Sequence, residues 1–306
     1  MNQSKNGWIF GLIGVIIFSG SLPATRVAVA DFDPLFLTVA RAALAGLLAV
    51  ATLVCLRQKR PDRTDIPSLV IVALGVVVGF PLFTALALQH ITSARSIVFI
   101  ALLPLATAIF GVMRAGERPH PAFWAFSLAG SAFVVGFALS EASSGVLIGD
   151  AFMVAAVIVC GLGYAEGGRL SRTLGGWQVI SWALVISLPL MLVLSLITFP
   201  DTLAGIGTSS WTALGYVSMF SMFIGFAFWY RGLAQGGVAA VSQLQLLQPF
   251  FGLLLAAGLL REEVSLIMAV VSVAVVACVA GAKRFSQSAI QARKAGVPQR
   301  GHQPRS

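Results

Sequence analysis

Residues 66–88 read IPSLVIVALGVVVGFPLFTALAL, 23 positions without one charged side chain. About 20 apolar residues in a helix cross the hydrocarbon core of a bilayer. In lipid, the backbone must satisfy its own hydrogen bonds, which leaves only helices and closed barrels. The run is continuous rather than alternating, so it reads as a helix and not as a barrel strand. The same reading gives nine more runs along the chain, at about 8–30, 34–56, 94–115, 121–140, 147–168, 177–199, 212–233, 237–260 and 264–282. The expected fold is therefore an all-α polytopic membrane protein with ten transmembrane helices.

Composition points the same way. Of 306 residues, 58% are hydrophobic and 10% charged, and mean hydropathy is +0.93. An average soluble domain is about half apolar and roughly a quarter charged. A soluble monomer lacks the interior to hide this much apolar side chain, because much of any fold still faces water. An ordinary soluble enzyme, a disordered chain and a disulfide-rich secreted domain are excluded.

The net charge of +9 is distributed by side. With the amino terminus inside, 16 of the 20 Lys and Arg fall in cytoplasmic segments and two, Arg95 and Arg261, fall outside. Arg26 and Arg41 lie within helices. This bias predicts a multi-pass protein of the cell (inner) membrane with both termini cytoplasmic. It also explains the basic balance without nucleic acid, and the lipid bilayer is the expected environment. Residues 284–306 read as a basic, disordered cytoplasmic tail. Lys5, the run from Trp8 and Ala28-Val29-Ala30 have the outline of a cleavable signal, but Arg26 interrupts it, and the segment is expected to be retained as a helix. Cys55, Cys160 and Cys278 show no paired spacing, so no disulfide, metal site or cofactor is expected.

A weak internal repeat divides the chain. Pro104 is followed by twelve residues and Glu117, and Pro249 by twelve residues and Glu262. Ala73-Leu74-Gly75 corresponds to Ala213-Leu214-Gly215, and Gly20 to Arg26 aligns with Gly163 to Arg169. Each half, 8–140 and 147–283, holds five helices. Five is odd, so the halves must have opposite orientation. Two inverted five-helix repeats are an arrangement used by secondary transporters, which bind at the repeat interface and open alternately to each side.

With Leu103-Pro104-Leu105…Gly116-Glu117-Arg118, Gln248-Pro249-Phe250…Arg261-Glu262-Glu263 and Pro34…Ala40-Arg41, the chain resembles the EamA branch of the drug/metabolite transporter superfamily over residues 8–283. The resemblance implies an inner-membrane carrier, often an exporter of amino acids, related metabolites or drugs. Trp182 or nearby apolar residues stand in the second half where the first has Arg41.

Charge inside a bilayer costs at least about 2.5–3.5 kcal/mol on insertion scales, so it marks partners or a path. Arg26 either snorkels outward, with Asp31 or Asp33 as partner, or lines the mouth of the path. Arg41 is either a structural bridge between helices or an anchor for a carboxylate or phosphate, which its planar fork suits. Glu166 either pairs with Arg169 one turn on or carries a coupling proton. Glu117 and Glu262 are expected to bond the start of the next helix or its positive dipole end, or to form a gating salt bridge such as Glu117 with Arg114 or Arg118. Pro23, Pro81, Pro104, Pro189 and Pro249 fall inside helices, and the matched pair Pro104 and Pro249 are candidate gating bends. Ser242, Gln243, Gln245 and Gln248 are either interhelical glue or substrate contacts. Gln89 is a weaker path candidate. Trp229 is a candidate for an aromatic wall, and Tyr230 for an interfacial belt.

No Walker A pattern supplies ATP as a drive, and no HExxH or GxSxG pattern supplies an enzyme site. The expected function is a secondary carrier for a small molecule, acting as a monomer or homodimer. The alternatives are a non-transporting receptor or scaffold and an intramembrane enzyme.

Overall fold

The structure, a computed structural model, describes residues 2–115, 121–140, 144–171, 173–236 and 242–295. Every regular element among them is helical. The segments run end to end as ten rods: α1 (Asn2–Ser19 with Ser21–Ala28), α2 (Pro34–Cys55), α3 (Ile66–Val72, Ala73–Gly79, Phe80–His90), α4 (Ser93–Ile100, Leu103–Ala115), α5 (Pro121–Ser140), α6 (Ser144–Leu170), α7 (Gly176–Ile197), α8 (Thr208–Gly215, Tyr216–Ile224, Gly225–Gly236), α9 (Ser242–Leu247, Gln248–Leu260) and α10 (Leu266–Ala295). Seven rods contain a stretch long and apolar enough to cross a membrane. The remaining three, α5, α9 and α10, carry shorter apolar stretches, Trp124–Phe137, Leu244–Leu260 and Leu266–Cys278. Helix α10 continues past residue 284, where the sequence suggested a disordered tail. The segment to Ala295 is rich in Ala, Gln, Arg and Lys, which all favour helix, and Pro298 comes only afterwards.

Local chemistry sets the ends. The Asp33 Oδ1 atom accepts from the Leu35 and Phe36 amides at 2.8 and 3.2 Å, and Pro34 supplies the preset first turn of α2. The Thr92 hydroxyl accepts from the Arg95 amide at 3.2 Å and starts α4. Arg261 adopts a left-handed backbone (φ 53°), which ends α9 and turns the chain beyond it.

Five rods are broken rather than straight. Rod α1 is interrupted at Gly20, and α4 at Ala101 and Leu102. Rods α3 and α8 each contain a π-helical segment, Ala73–Gly79 and Tyr216–Ile224. Rod α9 opens as a 3₁₀ helix, Ser242–Leu247. Proline accounts for much of this. Pro81, Pro104 and Pro249 each sit at the second position of a restarted α segment, where a missing N–H costs least. Pro189 alone lies well inside a continuous helix.

The principal pairings include α1 with α8, α3 with α6, α2 with α7, α5 with α10, α4 with α6, α1 with α9, α2 with α8, α3 with α7 and α4 with α9. This pattern is unchanged when each rod is exchanged for the one five places later. Rods approach closely where glycine removes the side chain, which is how helices associate when apolar burial offers no advantage over lipid. A Cβ at Gly232 of α8 would stand 2.6 Å from the Gly11 amide nitrogen of α1. Between α3 and α6, the corresponding pair of rods though at a different position along them, a Cβ on Gly75 would lie 2.5 Å from the Val159 carbonyl oxygen. The outer faces are apolar: Leu196 is 75% exposed and Leu254 is 69% exposed, an arrangement suited to hydrocarbon and unfavourable in water.

Gly232→Ala therefore forces backbone against backbone and should destabilise the purified protein by about 1–3 kcal/mol, the usual cost of overpacking. Gly258→Ala, whose Cβ meets nothing within 4 Å, should not. Thermal melting of both variants in detergent checks the contrast; equal melting temperatures would remove the close-approach account.

Candidate functional site

The broken segments converge on a cavity of about 30 Å³. Each of the five broken rods lines it with residues at or beside its interruption: Ser21 and Leu22 from α1, Val76, Phe80 and Pro81 from α3, Ile100 and Leu103 from α4, Ser221 and Met222 from α8, and Gln248 from α9. The continuous rods α2 and α6 add Arg41 and Tyr164. One water needs roughly 10–15 Å³ by this measure, so the space holds about two waters. A metabolite fits only if the rods move apart.

Arg41 is the charged group of the cavity lining. It is 4% exposed, within a run of buried small residues that includes Ala40, Ala42 and Ala43. Its Nη2 donates to the Val217 carbonyl at 3.3 Å and to the Ser221 hydroxyl at 3.4 Å, both long. Its Nε–H has no partner, and among the described residues no carboxylate pairs with it. Val217 and Ser221 both belong to the π segment of α8. The Ser21 and Ser221 hydroxyls lie 2.6 Å apart, linking α1 to α8 at the cavity wall. Phe18 and Phe226, with ring centroids 4.8 Å apart, close another side.

The other candidates disperse. Gln248 lines the cavity. Gln245 is buried with its Nε2 lacking a partner, outside the lining. The side chains of Ser242 and Gln243 lie outside the described residues, as do that of Pro104 and the whole of Glu117. Pro249 is buried at the restart of α9. Gln89 is exposed at the end of α3, away from the cavity, because two positions separate it from the buried Ala87 face. Trp229 does not line the cavity either. It packs edge-on to Phe18 of α1, and its backbone and Cβ come so close to Gly14 that a side chain there would stand 3.1 Å from them. Tyr230 is fully buried beside Gly167, not in an interfacial belt.

Arg26 is half-buried, and its Nη1 donates to the Leu88 carbonyl at the end of α3, where the last turn has orphan acceptors. Asp31 and Asp33 do not pair with it, because both are engaged elsewhere. Asp33 caps α2. Asp31 accepts from the Gly207 amide at 2.8 Å and the Ser210 hydroxyl at 2.7 Å, joining α1 to the start of α8. The Gly207 bond first, then that of Ser210, holds its carboxyl below the ordinary value of 3.8.

Three further clusters tie rod ends together. Glu166, 1% exposed, pairs with Arg169 at 2.5 Å and accepts from the Ser68 hydroxyl at 2.6 Å, fastening α6 to α3. Glu262 accepts from the Ser93 and Ala94 amides and the Ser93 hydroxyl at 3.2, 2.8 and 2.8 Å, so a carboxylate in the turn after α9 caps the start of α4 and not that of α10, the next helix. Sequence reasoning missed the third cluster. Arg95 grips Asp150 with two bonds of 2.9 and 2.7 Å, both residues 4% exposed, and lies 4.6 Å over the Phe137 ring. The readable signal was topological, since both residues stand near the start of runs that begin on the same side.

The EamA-like transporter family profile matches residues 5–139 and 147–282, one match over each half. A relative from Bacillus subtilis (strain 168), the uncharacterized transporter YdeK, is 64% identical over 287 residues, spanning 94% of this chain and 100% of its own length. A protein of known crystal structure superposes with a TM-score of 0.64 at 20% identity, covering 93% of this chain and 98% of that one. Likeness at that identity shows the fold.

Asp150→Ala removes both acceptors of a buried bidentate pair and should destabilise the protein by about 3–5 kcal/mol; a smaller loss in thermal melting would mean that the pair is replaceable. Asp31 gives a pH test. Its carboxyl is lower in the folded chain than in the unfolded one, so its contribution is fully present above the ordinary value of 3.8 and is lost as pH falls through the depressed folded value. Melting temperature should therefore fall more steeply for the wild type than for Asp31→Asn between pH 5 and the acid limit. Parallel curves would contradict that linkage.

Proposed function

The chain belongs to the EamA-like transporter family, and we propose that it is a secondary carrier that exports a small metabolite, of the amino-acid, related polar or drug-like kind, by alternating access. The observation that carries this reading is the meeting of the five broken rods around one nearly closed cavity that holds a buried arginine. Irregular backbone at membrane depth is tolerated where it lines a cavity, and carriers place their sites at discontinuous helices near the midplane.

The proposed topology is ten membrane helices in two inverted repeats, 8–140 and 147–283, with both termini cytoplasmic. Three observations support it: two family matches of five rods each, a pairing pattern that survives exchange of the halves, and the sided distribution of Lys and Arg. Rods from both halves line the cavity, so rocking one half against the other would open it to one side and then the other. Glu262 with Ser93, and Arg95 with Asp150, bind α4 to α9 and α6 at the end of the bundle proposed to face outward. They are suited to hold that end shut. Glu166 with Arg169 and Ser68 would serve α3 and α6 at the cytoplasmic end.

Metabolite export compared between cells with and without the protein, followed by counterflow in proteoliposomes, tests the carrier reading. Exchange of labelled for unlabelled solute is the expected result, and a receptor, scaffold or enzyme would give none. Pro104→Ala and Pro249→Ala should each insert normally yet transport more slowly, since each restores the N–H that lets the rod straighten. Transport at the wild-type rate in both variants would remove the gating role of the two prolines.

A further inference from the structure

We infer that the Arg41 cavity takes a monoanion, a carboxylate on a small apolar body, and that the membrane potential drives its export without a coupling proton. The inference rests on the carrier reading above and names its substrate class and driving force.

The donor inventory points to an anion. A guanidinium offers five N–H donors. Arg41 uses one nitrogen for two long bonds and leaves Nε–H unpaired, although the residue is only 4% exposed. In the Ser21–Ser221 pair one hydroxyl donates to the other, which leaves one O–H free to donate. A two-oxygen anion would accept from the guanidinium fork and from that hydroxyl together.

Charge balance selects among anions and against zwitterions. The lining holds one cation and, among the described residues, no Asp or Glu. A single negative charge neutralises the site. A second would leave an uncompensated charge in a low-dielectric space, and an ammonium group would meet no carboxylate. The rest of the wall is apolar, with Phe18, Phe80, Phe226 and Met222, so the body of the solute is apolar rather than polar.

Energy coupling follows from the same inventory. Glu166, the candidate for proton coupling, lies outside the lining and is engaged by Arg169 and Ser68. A monoanion needs no partner ion to leave a cell whose interior is negative. One elementary charge moving through 100 mV is worth about 2.3 kcal/mol, or about 50-fold in distribution.

The test uses the full chain in proteoliposomes loaded with eight solutes: lactate, pyruvate, phenyllactate and phenylpyruvate, against alanine, phenylalanine, ethylamine and phenethylamine. Mass spectrometry follows efflux under a valinomycin-imposed potential of either sign. At least one of the four carboxylates should leave faster than its zwitterionic and cationic counterparts, and faster with the interior negative than positive. Arg41→Lys, which keeps the charge and loses the fork, should slow that efflux about tenfold, equivalent to one charge-assisted hydrogen bond. Arg41→Gln should reduce it to the level of empty liposomes. Efflux of zwitterions or amines with no carboxylate moving, or carboxylate efflux at an unchanged rate in Arg41→Gln, would overturn the inference and leave the carrier reading standing. Carboxylate efflux in the wild type that ignores the sign of the potential would overturn its driving force even if the Arg41 variants do not fold. Movement of none of the eight would reject the carrier reading together with the inference.

Discussion

Hydrocarbon offers the backbone no water, and the fold depends on that. Every peptide group inside the membrane must find a partner in the protein, so a regular helix is the default and each departure from it needs support. Here the departures are gathered. Residues within or beside the turn at Gly20, the π segments of α3 and α8, the interruption of α4 and the restart of α9 line the same interior space. That gathering supplies the walls of the proposed binding site. Carbonyls displaced from regular bonding become acceptors, as Val217 does for Arg41, and serine hydroxyls beside the breaks become available to a ligand.

The charged groups divide by task. Arg95 with Asp150, Glu166 with Arg169 and Ser68, and Glu262 over the start of α4 are saturated and sit at rod ends. Each replaces the water that a helix terminus or an ion loses on burial, and each joins rods distant in sequence. Arg41 is different, being deep, poorly bonded and without an acid among the described residues. A buried cation left in that condition is destabilising, so its retention fits a group whose partner arrives as solute. The small volume of the cavity agrees with a closed conformation that must expand before anything larger than water enters.

Much was legible without coordinates. Run length and continuity pointed to a helical membrane protein, because those properties depend on the local pattern and on the solvent, and the family came from the resemblance carried by the Pro34, Pro104 and Pro249 motifs. The matched Pro104 and Pro249 marked two real interruptions, since proline acts on its own backbone. Glu262 was expected to bond the start of the helix that follows it, and it bonds the start of α4 instead, because sequence spacing does not say which rod end lies alongside. Glutamine was a poorer guide. Gln89 and Gln245 looked like path residues by polarity alone, yet of the two ninth-run candidates whose side chains are described, Gln245 and Gln248, Gln248 is the one that lines the cavity. Aromatic size misled in the same way at Trp229, which packs edge-on to Phe18 instead of lining the cavity.

What the amino-acid order determined was the solvent, the apolar rods and, at Pro81, Pro104 and Pro249, some of the points at which rods are interrupted. What only the tertiary structure decided was which polar groups meet. Arg41 finds Val217 across 176 positions, Ser21 finds Ser221 across 200, and Glu262 reaches back 169 to Ser93. Helical periodicity says which face a residue occupies on its own rod. It carries no information about the neighbouring rod, whose rotation and depth are set by glycine contacts and packing summed over the whole bundle.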